Sequence, residues 1–96
     1  AIRRSDSLLA LWRDYRSRMQ ETRASALLLR LVDELFEYPA TTNPRAATRL
    51  SITPRSAQLN IDKLVGAGIL REATGQRRNR VYVAPEIIRV VEEQER

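Results

Sequence analysis

Cysteine and histidine are both absent from this 96-residue sequence. Without cysteine the chain has no disulfide and no thiolate ligand for a metal, and without histidine it has no imidazole ligand or base. These absences exclude Ser-His-Asp and Cys-His nucleophilic sites and the common zinc sites. An enzyme would have to use carboxylate, lysine or tyrosine chemistry, but Asp33, Glu34 and Glu37 read as the solvated face of a helix. We expect no catalytic site, no metal and no cofactor.

Long apolar runs are also absent, and none approaches the roughly 20 residues that a membrane-spanning helix needs. The opening residues AIRR lack the apolar stretch of a signal peptide, and the chain does not begin with methionine. We expect a cytoplasmic protein that makes no membrane contact, and a chain that is part of something longer.

Positive charge is in excess and is unevenly distributed. The whole chain carries +5, which favours an anionic partner such as nucleic acid or a membrane surface without choosing between them. Residues 39–85 hold eight basic and two acidic side chains, a net charge of +6, whereas residues 86–96 hold two basic and four acidic ones, a net charge of −2. Sixteen of the 17 basic residues are arginine, which suits phosphate binding but also follows from genomic base composition. The clustering favours phosphate binding over a merely solvated surface.

Two apolar stripes at helical spacing occupy the first 38 residues. Ser5 or Asp6 is the predicted cap of the first helix, and Pro39 ends the second. Residues 20–25 contain no glycine or proline, so two helices hinged near Thr22 and one long bent helix both remain open. We assign residues 1–24 to a leading helix for connection or dimerisation and residues 25–96 to the main domain. The first stripe comprises Leu8, Leu11, Trp12, Tyr15 and Met19, and the second Leu28, Leu31, Val32, Leu35 and Phe36.

From Thr41 onward the pattern changes to short helices and strands. Asn43-Pro44 and Thr53-Pro54 each place a capping side chain before a proline, which predicts helices over residues 44–50 and 54–65. The second of these should turn Val65 inward and end at residues 66–68. Residues 69–74 and 80–84 are prone to β structure and flank a glycine-containing loop, which predicts a hairpin. A last helix should begin at Pro85.

This order of elements is that of a winged helix-turn-helix, so we predict a mainly α fold with a small β-hairpin wing. In DNA-binding proteins of this class the second helix of the motif enters the major groove. The alternative is a trihelical core that binds protein instead. Ser51 occupies the turn where many such motifs have glycine, which indicates mild strain or a different turn geometry.

The helix at about 54–65 and the wing at about 75–80 supply the candidate DNA-binding residues, since arginine, asparagine and glutamine can contact bases or phosphates. Two residues of this helix weigh against DNA binding. Asp62 is acidic, and we expect it to pair with a nearby arginine. Leu59 is apolar. Leu59, with Trp12 and Tyr15, is instead a candidate for contact with another protein. For Trp12 and Tyr15 the alternative is that they cover the core of their own chain. The candidate nucleic-acid contacts are Arg45, Arg49, Thr53, Arg55, Ser56, Gln58, Asn60, Lys63, Arg77, Arg78 and Arg80.

Five segments resemble the C-terminal region of bacterial Fic-family proteins, where a winged helix follows the catalytic Fic domain. They are LVDELF at residues 31–36, TPRSAQ at 53–58, DKLV at 62–65, GILRE at 68–72 and GQRRNRVYVAPEI at 75–87. The last of these segments is the most distinctive.

The resemblance implies a parent enzyme similar to AMP transferases, which move AMP from ATP to a hydroxyl of a target protein. The family's catalytic loop contains a histidine and a glycine-rich stretch, whereas this chain has no histidine and three scattered glycines. The resemblance therefore implies a non-enzymatic accessory module. It would bind duplex DNA, or alternatively the upstream Fic domain, a protein target or a second copy of itself.

Overall fold

The computed structural model describes residues 4–21 and 26–94. The predicted fold class is confirmed, since this part of the chain is mainly helical with a small antiparallel sheet. The hinge predicted near Thr22 lies outside the described residues. The elements are α1 (Arg4–Glu21), α2 (Ala26–Glu37), β1 (Ala40–Thr42), α3 (Asn43–Leu50), α4 (Pro54–Gly66), β2 (Arg71–Glu72), β3 (Val81–Val83) and α5 (Pro85–Gln94).

The apolar stripe of α1 faces α2 and α5. Tyr15 is only 1% exposed and meets the Phe36 ring edge-on, with the ring centroids 5.8 Å apart. The prediction that Tyr15 contacts another protein is therefore wrong, because its ring belongs to the core of its own chain. Trp12 is half-buried, and its indole nitrogen donates to Asp33 Oδ1 at 2.6 Å. Ser5 and Asp6 lie within α1, so neither is the residue that precedes it.

Capping side chains start both helices of the helix-turn-helix. Thr53 Oγ1 accepts from the backbone nitrogen of Ser56 at 3.1 Å, as predicted for α4. The cap of α3 is Thr42 rather than Asn43, because Thr42 Oγ1 accepts from the backbone nitrogen of Arg45 at 3.3 Å. Asn43 is thus the first residue of α3, and its amide is available for contacts across the motif.

Helix α3 packs against α4 through small and branched apolar side chains, including the buried Ala47, Ala57 and Ile61. Between the helices Ser51 adopts a left-handed backbone with φ 56° and ψ 47°. The backbone nitrogen of Ile52 then donates to Ala47 O at 3.0 Å, which closes the turn. The strained geometry predicted at Ser51 is confirmed.

The chain leaves α4 at Gly66, within the predicted stop. Gly68 takes φ +78°, and the backbone nitrogens of Ile69 and Leu70 donate to Leu64 O at 3.0 and 3.2 Å. Val65 was predicted to face inward, but it is 39% exposed. Val65 lies three residues after the exposed Asp62, so it falls on the exposed side of α4.

The sheet has the strand order β1-β3-β2 with both pairs antiparallel. The predicted hairpin is confirmed as β2 and β3, although β2 is shorter than the predicted β-prone stretch. Strand β1 was not predicted, because three residues are too few to show the alternation of apolar and polar side chains that indicates a strand. It forms because Thr41 lies opposite Tyr82 in the sheet and Ala84 N donates to Pro39 O at 2.9 Å. No helix in the described part of the chain is long and apolar enough to cross a membrane.

Replacing Ser51 by glycine should stabilise the fold. A non-glycine residue at φ 56° destabilises the folded state by about 1 kcal/mol. Glycine removes this strain, but its larger loss of conformational entropy on folding offsets part of the gain. We expect Ser51→Gly to raise the free energy of unfolding by about 0.5 kcal/mol in urea titrations. The same change at Ser17, which lies on the exposed side of α1, should lower it by a similar amount. Equal loss of stability in both variants would contradict this account of the turn.

The Tyr15 hydroxyl is buried and has no hydrogen-bond partner among the described residues. Burial is the main cause that raises its pKa, so the hydroxyl stays protonated at neutral pH. Because an unsatisfied buried hydroxyl costs about 1 kcal/mol or more, Tyr15→Phe should unfold at equal or higher urea concentration than the wild type. A loss of about 1 kcal/mol in Tyr15→Phe would show instead that the hydroxyl has a partner.

Candidate nucleic-acid interface

Helix α4 turns one face to solvent along most of its length. Arg55, Leu59, Asp62 and Lys63 are all exposed there, and Leu59 is 58% exposed. Their spacing of three or four residues places them on one side of the helix. Neither Arg55 nor Lys63 has an ion-pair partner in the part of the chain that the structure describes. The opposite side is buried and consists of Ala57, Asn60, Ile61 and Leu64.

Asn60 does not belong to the exposed face. It was predicted to face a DNA groove, but it is 6% exposed and its amide nitrogen donates to Ser56 O at 3.0 Å. Its position next to Ile61 places it at the edge of the core, and the bond to the helix backbone satisfies its donor. Ser56 is half-buried, and the exposed Thr53 serves as the helix cap. Thr53 and Asn60 thus each make a side-chain hydrogen bond to the backbone at Ser56, and these bonds stabilise α4.

A hydrogen-bonded cluster of side chains ties α3, α4 and β3 together. Asn43 Nδ2 donates to Pro54 O at 2.8 Å and to Gln58 Oε1 at 3.1 Å. Gln58 Nε2 donates in turn to Asp62 Oδ1 at 2.9 Å and to the Tyr82 hydroxyl at 3.1 Å. Gln58 was predicted to contact a DNA base. In the structure both its amide oxygen and its amide nitrogen are hydrogen-bonded to other residues of the chain. Asp62 was expected to pair with an arginine, but it accepts from Gln58 instead.

The wing loop, residues 73–80, is anchored by a carboxylate at its base. Glu72 accepts from the backbone nitrogen and hydroxyl of Thr74 and from the backbone nitrogen of Gly75, the last at 2.7 Å from Oε2. The hydrogen bond from Gly75 is the main cause that lowers the pKa of Glu72, and the bonds from Thr74 act in the same direction. Gly75 and Asn79 both adopt positive φ, at 68° and 55°, which lets the loop fold back on itself.

Arginine side chains project from this anchored loop. Arg77, Arg78 and Arg80 are all exposed. Arg77 and Arg78 have no ion-pair partner among the described residues, whereas Arg80 Nε donates to Gln76 O. Among the described residues, the positive charge of Arg77 and Arg78 is therefore not neutralised by an ion pair.

An open groove of about 290 Å³ separates the wing from the helix-turn-helix. Its walls bring the Gln58 side of α4 close to the wing arginines, although the two are about 20 residues apart in sequence. The lining residues are Asn43, Pro44, Gln58, Arg77, Asn79, Arg80 and Tyr82. The groove and the wing arginines thus form a basic surface beside Gln58, and the exposed residues Arg55, Leu59, Asp62 and Lys63 of α4 do not line the groove.

Arg45 and Arg49 on α3 have different surroundings. Arg45 is exposed, and its guanidinium carbon lies 4.6 Å from the centre of the Tyr38 ring. Arg49 Nη2 pairs with Glu34 at 2.8 Å and with Glu37 at 3.8 Å, so α2 compensates most of its charge. Arg49 therefore joins α3 to α2, and it contributes little to the basic surface.

Two aromatic residues of this region were not singled out from the sequence. Tyr82 lies 3% exposed at the centre of the sheet and accepts from Gln58, while Tyr38 is 57% exposed beside Arg45. The alternating pattern around Tyr82 is a sequence signal for burial of its ring. No sequence signal places its hydroxyl against α4, since that contact depends on how the hairpin folds over the helix.

No protein-family model matches the chain, and no curated protein matches it in sequence. The resemblance to Fic-family proteins stays a prediction. In the described residues, no three histidine, cysteine, aspartate or glutamate side chains lie close enough together to hold a metal ion.

Acidification should release the wing before the helices unfold. Because hydrogen bonds lower the pKa of Glu72 in the folded chain, its ionised form stabilises the loop above the ordinary glutamate pKa. This stabilisation is lost as the pH falls through the lowered value. Amide hydrogen exchange at Thr74 and Gly75, corrected for the intrinsic pH dependence, should show protection that disappears in that acidic range.

The Glu72→Gln variant is the matched control. Its amide does not ionise, so protection at Thr74 and Gly75 should be weak at neutral pH and change little on acidification. Protection in the wild type that is independent of pH would contradict the proposed role of Glu72.

Proposed function

We propose that this chain is a DNA-binding winged helix-turn-helix module that recognises duplex DNA with α4 and the wing. The observation that carries the proposal is the groove in which Gln58 of α4 faces Arg77 and Arg80 of the wing. Arg55 and Lys63 are exposed on the same helix, and neither they nor the wing arginines have an ion-pair partner among the described residues. Positive charge that a protein leaves uncompensated is suited to neutralise phosphates and release their counterions.

The geometry of α4 fits the major groove. That groove is about 12 Å wide and admits an α-helix of about 10–12 Å diameter. Arg55 lies in the first turn of α4, where it projects from the exposed end of the helix, and Lys63 lies two turns later. Arg77 and Arg78 then reach the phosphate backbone beside the groove, which sets the register of the protein on the duplex.

The proposed setting is a cytoplasmic bacterial protein of the Fic type, on the sequence resemblance given above. In that setting α1 connects the module to an upstream catalytic domain that transfers AMP. The chain itself is a targeting or regulatory part and performs no catalysis. The charge distribution is compatible with this setting, because the basic excess is concentrated in residues 39–85, outside α1.

A second candidate function is protein interaction, either with the upstream domain, with a target or with a second copy of the chain. Leu59 and Tyr38, at 58% and 57% exposed, favour it, because large apolar groups in solvent are typical of contact surfaces. Trp12 contributes less than expected to such a surface, since it is half-buried against α2.

The affinity for a random-sequence duplex should fall steeply between about 50 and about 200 mM salt, with a log–log slope near −0.9 for each phosphate neutralised. The double variant Arg77→Glu and Arg78→Glu should bind more weakly and show a slope shallower by about 2, because two phosphate contacts are lost. Fluorescence anisotropy of a labelled duplex at several salt concentrations measures both quantities.

The control is Arg13→Glu with Arg30→Glu, which changes the net charge equally. Both residues are exposed on α1 and α2 and have no ion-pair partner in the described part of the chain. This control should retain the wild-type slope. A wild-type protein that binds no duplex at about 50 mM salt would refute DNA binding and favour protein interaction.

A further inference from the structure

The exposed face of α4 has an apolar centre. Leu59 is 58% exposed and lies one turn after Arg55, with Asp62 and Lys63 on the following turn. Because single exposed apolar side chains are common on protein surfaces, the neighbours of Leu59 decide what it contacts. Leu59 also adjoins Gln58, which lines the basic groove. Leu59 does not line that groove itself, but two exposed cations of α4, Arg55 and Lys63, lie about one turn on either side of it.

Few hydrogen-bonding side chains of α4 are free to read bases. The Gln58 amide is engaged with Asn43, Asp62 and Tyr82, and Asn60 is buried. Asp62 accepts from Gln58 and repels phosphate. Arg55, Lys63 and the half-buried Ser56 remain as donors, and Leu59 lies between Arg55 and Lys63 on the exposed face.

We infer that Leu59 is a specificity-determining residue that contacts the C5-methyl group of a thymine in the major groove. The thymine methyl is the apolar feature that the four base pairs display there, and an apolar side chain is its natural partner. This inference rests on the proposed DNA-binding function. It gives a base-selecting role to one of the two residues that weighed against DNA binding.

The position of the thymine follows from helix geometry. Arg55 and Leu59 are about one turn apart, or about 5.4 Å along the helix axis. Base pairs are stacked about 3.4 Å apart, so the two side chains reach base pairs one or two steps apart. Arginine prefers guanine O6 and N7, and the selected thymine should therefore lie within two base pairs of a guanine read by Arg55.

The experiment uses duplexes selected from a random pool by the wild-type chain. In the best-bound duplex, each thymine is replaced in turn by deoxyuridine, which lacks the methyl group and changes nothing else. We expect one position, within two base pairs of a guanine, to weaken binding about fourfold, the effect of removing one methyl contact. The Leu59→Ala variant should bind the thymine and uracil duplexes equally.

Leu9→Ala is the matched control, because Leu9 is 43% exposed on α1 and the substitution is the same. This control should keep the fourfold difference at the sensitive thymine. The inference is overturned if no thymine responds, or if Leu59→Ala retains the difference. Sedimentation provides a further outcome against it, namely a wild-type dimer that Leu59→Ala converts to a monomer.

The result also separates this inference from the proposed function. Duplex binding that is salt-dependent but indifferent to every thymine methyl keeps DNA binding and rejects the role of Leu59. The absence of binding to any duplex rejects both.

Discussion

The close packing of α3 against α4 is the interaction on which the candidate site depends. Ala47 and Ala57 let the two helices approach, and the left-handed turn at Ser51 brings the chain back within a few residues. This arrangement determines which side of α4 is buried and which is exposed. The turn accepts an unfavourable backbone conformation at Ser51, which the buried contacts on either side outweigh.

A second layer of organisation comes from polar side chains rather than from the core. Gln58 is bonded to Asn43, Asp62 and Tyr82, so a residue whose type suits base recognition instead holds the wing against the helix-turn-helix. Glu72 performs a similar task at the base of the wing by collecting the donors of Thr74 and Gly75. The side chains that could contact a partner are those outside these hydrogen bonds.

Much of the fold could be predicted because its signals are local. The apolar stripes of α1 and α2, the Thr53 cap and the β-prone segments each depend on neighbours within a few residues. The errors occur where distant contacts decide. Thr42 rather than Asn43 caps α3, while Asn43 bonds to Pro54 and Gln58, and β1 is a strand through its pairing with β3. The residues of the candidate site were predicted less well than the fold, because Asn60 and Arg49 make contacts within the protein.

By itself, the sequence determined the fold class, the concentration of positive charge in residues 39–85 and the absence of imidazole and thiol chemistry. Composition and local periodicity carry this information, so no tertiary contact is needed to read it. Only the tertiary structure decided which polar residues bond to other parts of the domain and which stay accessible to a partner. That distinction depends on partners far apart in sequence. Gln58 and Leu59 are adjacent in the chain, yet one is engaged with three elements of the fold while the other faces solvent.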